Sequence, residues 1–184
     1  MVATKSSMLP LGTKAPYFEL LDTRTKEWVS FSDKTKRSGY LMAFICNHCP
    51  YVIHLKSHLP ILFNELLGKN LSVFAISSND ANKYPADSPE KMSDLARELD
   101  FKFPYLYDES QETAKSYRAA CTPDFFLFDE NKELFYRGQY DESRPSNQSK
   151  VSGKDLTNAI ELMLNGKPPP PEQIPSLGCN IKWK

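Results

Sequence analysis

The sequence predicts an α/β domain with a mixed central sheet flanked by helices. Three observations carry that expectation. Tyr40–Ile45 and Leu71–Ser77 are apolar runs too continuous for half-exposed strands, so they read as strands buried on both faces. Between them, from Pro50 to about Leu67, apolar residues recur at helical spacing and supply the crossover that parallel neighbours require. Further on, Phe125–Phe128 and Leu134–Arg137 flank the turn Asp129-Glu130-Asn131-Lys132 and read as an antiparallel hairpin, with one more helix behind it. A chain of 184 residues is long enough for one such domain and short for two.

Each element has a local reason. Residues 1–16 form a loose lead-in ending at Pro16. Tyr17–Leu21 and Trp28–Phe31, separated by the polar turn Asp22–Lys26, make a short hairpin. Gly39 opens the first buried strand. The helix after it carries Val52, Ile53, Leu55, Leu59, Leu62, Phe63, Leu66 and Leu67, is closed by Gly68, and is kinked at Pro60. Ser88 caps a helix from Pro89 to about Leu99, with proline in the first helical position. Phe103–Tyr107 is a strand and Glu109–Tyr117 a short helix. After the hairpin, Gln139–Gly153 is polar loop, and Lys154–Leu164 is an amphipathic helix ended by Asn165-Gly166. Residues 1–166 therefore form one domain. Residues 167–184 are a tail that starts with the polyproline stretch Pro168–Pro171.

Composition excludes several partners. Lysine plus arginine number 23 and aspartate plus glutamate 23, a formal net charge of zero. Nucleic-acid binders carry a basic excess to displace counterions, and an anionic membrane attracts the same excess, so neither partner is expected. The longest purely apolar run, Leu41–Cys46, is six residues long, far short of the ~20 that cross a bilayer. The opening MVATKSSMLPLG lacks the apolar region of a secretory signal, so the expectation is a soluble, cytoplasmic protein. Four cysteines are too few for a disulfide-stapled scaffold of this length.

Their placement is informative. Cys46 and Cys49 form a Cys-X-X-Cys with Asn47 and His48 between them, at the turn from a buried strand into a helix started by Pro50. A helix N-terminus offers unpaired N–H groups and a positive dipole end, both of which favour the thiolate, the nucleophile of disulfide exchange. A protonated His48 adds positive charge beside it. Cys46 is then the exposed attacking thiol and Cys49 the buried resolving one. Inert buried cysteines are the plain alternative. Zinc is another, since His54 and His58 follow, but at ~100° per residue their face lies roughly 140–180° from Cys49. The expectation is a redox-active disulfide with no metal and no organic cofactor.

These features resemble the thioredoxin fold, in its peroxiredoxin-like branch of alkyl hydroperoxide reductase/thiol-specific antioxidant proteins and their thiol-disulfide oxidoreductase relatives. The carriers are the strand, Cys46-X2-Cys49 and helix, followed by Thr122-Pro123 before the strand Phe125–Phe128. The lead-in Gly12-X3-Pro16-Tyr17-Phe18, the opening hairpin and the inserted helix Pro89–Leu99 belong to that branch. Phe44-Ile45-Cys46-Asn47-His48-Cys49-Pro50-Tyr51-Val52 and the closing Gly178-Cys179-Asn180-Ile181-Lys182-Trp183-Lys184 resemble a bacterial subgroup known only as thioredoxin-family proteins. The resemblance implies that Pro123 is cis and faces the dithiol, and that the Thr122 backbone pairs with a bound substrate chain. Tyr51 and Phe125 are candidates to border that groove. There are departures. Ile45 replaces thioredoxin's tryptophan, and Tyr40 stands where its buried acid would be. Histidine before the second cysteine resembles oxidising members such as protein disulfide isomerase. Relative to the Pro-X3-Thr-X2-Cys of true peroxiredoxins, Gly39 and Ala43 stand in place of the proline and threonine, so the hydroxyl that positions peroxide is missing there.

Cys121 and Cys179 are possible accessory thiols. The loop carrying Cys121 faces the dithiol if the fold holds; a small buried hydrophobe is the alternative. Cys179 follows an eleven-residue step from Pro168. That step spans about 34 Å at ~3.1 Å per residue, against a radius of gyration of ~16 Å, so the tail reaches any point on the domain. One expectation is that it docks back through Ile181 and Trp183 and that Cys179 exchanges with another cysteine; the other is a free tail. The expected activity is thiol-disulfide exchange with a protein or low-molecular-weight disulfide or thiol, supplied by an unidentified electron donor. A thiol peroxidase using Cys46 and a non-enzymatic redox sensor are the alternatives.

Overall fold

Seven strands form the central sheet in a computed structural model that describes residues 3–32 and 36–184. The first two residues of the lead-in lie outside the described residues. The elements are β1 (Ala3–Lys5), β2 (Phe18–Asp22), β3 (Trp28–Phe31), β4 (Gly39–Phe44), α1 (Pro50–Leu55), α2 (Leu59–Gly68) and β5 (Leu71–Ser77). They continue with α3 (Pro89–Glu98), β6 (Tyr105–Tyr107), α4 (Glu112–Ser116), β7 (Cys121–Thr122), β8 (Asp124–Asp129), β9 (Leu134–Gly138), α5 (Lys154–Leu164) and β10 (Leu177–Asn180). The sheet order is β3-β2-β6-β5-β4-β8-β9. β5 is parallel to β4 and to β6, while β8 runs antiparallel to β4, so the sheet is mixed as the sequence predicts.

Side-chain alternation divides the interior into two cores. Leu41 and Ala43 of β4 join Val73, Ala75, Phe125 and Leu127 on one face, under α1, α2, α3 and α5. Tyr40, Met42 and Phe44 join Phe74, Ile76, Phe126 and Phe128 on the other, packed with Phe18, Leu20 and Phe31 of the opening hairpin and Ala114 of α4. All six residues of β4 are buried. Among the described residues, no helix is long and apolar enough to cross a membrane.

The structure differs from the sequence expectations where long-range contacts intervene. The helix expected to bend at Pro60 is broken instead into α1 and α2 across Lys56–His58, because proline cannot donate to the carbonyl four residues back and its ring crowds that turn. The short helix begins at Glu112 rather than Glu109: Gln111 is left-handed, and the Asp108 carboxylate accepts from the Ala114 N–H at 2.9 Å. The lead-in and the tail both contain strands. β1, β10 and β7 form a second, three-stranded antiparallel sheet, with Cys179 opposite Thr122 and Asn180 opposite Cys121. The free tail is therefore excluded. Ile181 is fully buried and anchors it as expected, whereas Trp183 remains 41% exposed and does not. Main-chain and amide bonds replace the missing aromatic anchor: Lys182 donates to Asn79 Oδ1 at 2.8 Å, and Gln111 Nε2 donates to the Lys182 carbonyl at 2.9 Å.

Two features of this frame are testable. A Cβ on Gly178 would lie 1.9 Å from the Thr122 carbonyl oxygen, so β10 can approach β7 only through glycine. Gly178→Ala should cost about 1–3 kcal/mol and speed amide exchange across Leu177–Asn180; unchanged protection there would contradict the docking. Beneath the start of β8, Arg137 Nη2 pairs with Asp124 Oδ2 at 3.0 Å, both side chains fully buried, with the guanidinium 4.3 Å from the Phe126 ring centroid. Burial raises the Asp124 carboxyl and Arg137 opposes the rise. Arg137→Met alone strands that carboxylate, so urea denaturation should show a loss of about 3–5 kcal/mol, mostly recovered when Asp124→Leu is added.

Candidate active site

The carboxyl ends of β4 and β5 and the start of β8 meet at one edge of the sheet. There the chain leaves β4 and passes through Ile45–His48 into α1, with Cys49 as its N-cap and Pro50 in the first turn. The Val52 and Ile53 N–H groups both bond the Cys49 carbonyl, at 3.0 and 2.9 Å, which fixes the turn. The Thr122–Pro123 bond is cis, as the resemblance implied, and it brings Thr122 against both sulfurs. Cys46 Sγ lies 3.3 Å from Thr122 Oγ1, and Cys49 Sγ lies 3.0 Å from the Thr122 carbonyl oxygen. Cys179 completes the group: its Sγ is 2.9 Å from Cys49 Sγ. All four cysteines are buried thiols.

The acidities of the two motif sulfurs are coupled through the hydrogen bond between them. Cys49 is pulled down to about 5, first by its hydrogen bond with Cys46, then by those with Cys179 and nearby backbone N–H groups, against the cost of burial. Cys46 is held well above the usual thiol range by the hydrogen bond it gives Cys49, by burial and by the Asp87 carboxylate. Cys179 is pushed up to about 12, by burial first and by Cys49 second. The hydrogen bond between the two sulfurs thus acts in opposite directions on them, lowering Cys49 and raising Cys46. Cys46 is also only 1% exposed, so it is less open than its position in the motif suggested.

Asn47 and His48 are held by a residue that sequence reasoning missed. Asp87, on a single 3₁₀ turn (Pro85–Asp87), is fully buried. Its Oδ1 accepts from the Asn47 N–H at 2.8 Å and the His48 N–H at 3.3 Å. Its Oδ2 accepts from Asn79 Nδ2 at 2.8 Å and faces His48 Nδ1 at 2.6 Å. With a carboxylate as acceptor, the imidazole proton on that side belongs to Nδ1. His48 stacks on Tyr84 at 5.3 Å between centroids, and Tyr105 donates to Asn47 Oδ1 at 3.0 Å. The polar run Ser78-Asn79-Asp80 after a buried strand was the available signal, since α/β sheets assemble sites at the carboxyl ends of their strands.

The remaining candidates fall in different places. Tyr51, Pro123 and Phe125 line one shallow cleft with His54 and Tyr140. The Thr122 backbone, expected to take a substrate strand, is paired with the chain's own β10. Cys121 occupies the opposite side of that strand from Thr122; its thiol donates to the Pro123 carbonyl at 3.6 Å, and burial raises its pKa far above the thiol range. His58 is turned toward Tyr140, its Nδ1 2.6 Å from the hydroxyl. Among the described residues, Cys46, His48 and Asp87 are the three potential metal donors that converge, within 4.8 Å of one another. The carboxylate oxygens of that trio are already taken by the four hydrogen bonds above.

The AhpC/TSA family profile matches residues 11–137. The solved structure of an uncharacterized conserved protein from Geobacillus kaustophilus is 48% identical, with a TM-score of 0.97 over 100% of this chain and 97% of that one. A hypothetical protein from Sinorhizobium meliloti 1021 is 41% identical, with a TM-score of 0.95 over 98% of each chain. The thioredoxin domain of a thiol-disulfide oxidoreductase from Bacteroides vulgatus is 20% identical, with a TM-score of 0.64 over 86% of this chain and 100% of that one. That last likeness concerns the fold, which is the thioredoxin fold. No curated protein matches.

If Cys49 carries the charge, the thiolate ultraviolet absorbance of the reduced protein should fall in a step near pH 5. Cys49→Ala should remove the step, whereas a step that survives this change and disappears in Cys46→Ala would place the charge on Cys46.

Proposed function

The chain belongs to the AhpC/TSA family, and from that premise of thiol-based redox chemistry we propose that it is a thiol-disulfide oxidoreductase acting through Cys46 and Cys49. The observation that supports this most directly is that Thr122, on the element facing the motif, contacts both sulfurs: Cys46 Sγ through its hydroxyl and Cys49 Sγ through its carbonyl. The Cys49 thiolate accepts the Cys46 proton as Cys46 Sγ attacks one sulfur of a substrate disulfide. A mixed disulfide forms, and the other substrate sulfur leaves and takes that proton from Cys49. Cys49, again a thiolate, attacks Cys46 Sγ and releases the second substrate sulfur as a thiolate. The substrate gains two electrons and the Cys46–Cys49 pair loses them; a dithiol donor restores the pair. Tyr51 and Pro123 border the approach, and Asp87 acts as a positioning residue by fixing Asn47 and His48.

A second reading has its own observation. The hydroxyl that Ala43 cannot supply is present on another element, since Thr122 Oγ1 lies 3.3 Å from Cys46 Sγ. In a peroxidase, Cys46 takes the distal peroxide oxygen as a sulfenic acid and releases an alcohol or water. Cys49 then displaces water from it to form the disulfide.

Reduction of insulin disulfides by dithiothreitol should be accelerated by the wild-type protein. Cys46→Ser should bring it to the uncatalysed background, and Cys49→Ser should accumulate mixed disulfides on Cys46. Peroxide consumption that is lost in Thr122→Val, without insulin turnover in the wild type, would favour the peroxidase instead.

A further inference from the structure

Cys49 lies between two thiols, and the second one belongs to neither the motif nor its helix. Cys179 is placed by four independent constraints. It faces Thr122 in the antiparallel register of β7 and β10. The glycine before it lets the two strands approach. Ile181 is buried two residues later. Lys182 is tied to Asn79 and Gln111. The Sγ–Sγ separation of 2.9 Å needs to close by under about 1 Å to reach a disulfide bond of ~2.05 Å. Both sulfurs are buried, so their encounter is protected from competing solution thiols. The strand that brings Cys179 in also occupies the Thr122 edge, where the thioredoxin resemblance would put an external chain.

We propose that Cys179 is a third redox thiol that forms a disulfide with Cys49, so that the C-terminal strand acts as the chain's own disulfide-exchange partner. The proposal rests on the reading of Cys46 and Cys49 given above. Starting from the Cys46–Cys49 disulfide, Cys179 Sγ attacks Cys49 Sγ. The Cys49–Cys179 bond forms as the Cys46–Cys49 bond breaks, and the proton lost by Cys179 ends on Cys46, the leaving thiol. The number of disulfides is unchanged, so no external oxidant or reductant enters this step. Its product has Cys46 free beside Thr122 and the tail covalently held to the start of α1, over the edge an extended substrate would use. The oxidised protein is then a pair of isomers, one with the tail releasable and one with it locked.

The test is disulfide mapping after oxidation with diamide, alkylation and tryptic digestion. Cys46 and Cys49 share one tryptic peptide and Cys179 lies in another, so a link to Cys179 joins two peptides. Cys46→Ser should give the Cys49–Cys179 link in nearly all molecules with Cys121 alkylated, and Cys49→Ser should give no link to Cys179. Wild-type protein, which needs no substitution to fold, should show both isomers. Their ratio should stay constant across glutathione buffers of different potential, because the isomers hold the same number of electrons. Alkylated Cys179 in Cys46→Ser and in the oxidised wild type, or an isomer ratio that follows the buffer, would overturn the proposal. Insulin turnover separates it from the reading beneath it. A protein that reduces insulin while Cys179 stays alkylated overturns the third-thiol assignment alone. One that forms the link but reduces no disulfide supports the link and overturns the oxidoreductase reading instead.

Discussion

A strand paired on both edges and covered on both faces cannot shift its end without disturbing two cores, and β4 is in that position. Its partners are β5 and β8, and its alternate residues divide between the two apolar clusters. The turn that follows it is therefore held to a fixed place. The Ile45 N–H bonds the Ile76 carbonyl at 2.9 Å, so the last contact of the sheet lies one residue before Cys46. Precise placement of the thiols is a consequence of where the sheet stops. A site built on a strand end rather than on a long loop keeps its geometry when a substrate arrives.

The site then has to hold negative charge in a buried place. Two groups bear it, and their surroundings differ in kind. The Asp87 carboxylate is compensated by N–H donors from the motif backbone, His48 and Asn79, and its charge acts on Cys46 to hold the proton there. A thiolate formed on Cys49 is met by the neighbouring sulfurs of Cys46 and Cys179 and by backbone N–H groups. Burial alone would neutralise a thiolate, so the donors around Cys49 have to outweigh its desolvation. Docking of the C-terminal strand places a third sulfur, Cys179 Sγ, 2.9 Å from Cys49 Sγ.

Much of the frame was legible from local patterning. The runs Tyr40–Ile45 and Leu71–Ser77 announce buried strands because every residue must meet an apolar neighbour. Ser88 and Pro89 announce a helix start, and there the Ser88 hydroxyl accepts from the Lys91 N–H at 3.4 Å. What was misread depended on distant partners. Ala3–Lys5 and Leu177–Asn180 have no strand pattern of their own and become strands only against each other and Cys121–Thr122. Arg137 ends an apparently ordinary edge strand, yet it is wholly buried because Asp124 waits beneath it. Trp183 looked like an anchor by its size, but Asn79 and Gln111 secure the tail through main-chain hydrogen bonds that hydropathy does not register.

By itself the sequence determined that a dithiol pair stands at a strand-to-helix turn of a mixed α/β sheet, because periodicity, caps and the two-residue spacing are local properties. Only the tertiary structure decided what that pair meets. Asp87 reaches His48 across 39 positions, Thr122 reaches Cys46 across 76, and Cys179 reaches Cys49 across 130. Such encounters depend on how whole strands are ordered and on where a chain end finds an unpaired edge. Those choices set what surrounds each sulfur, and no short-range pattern encodes them.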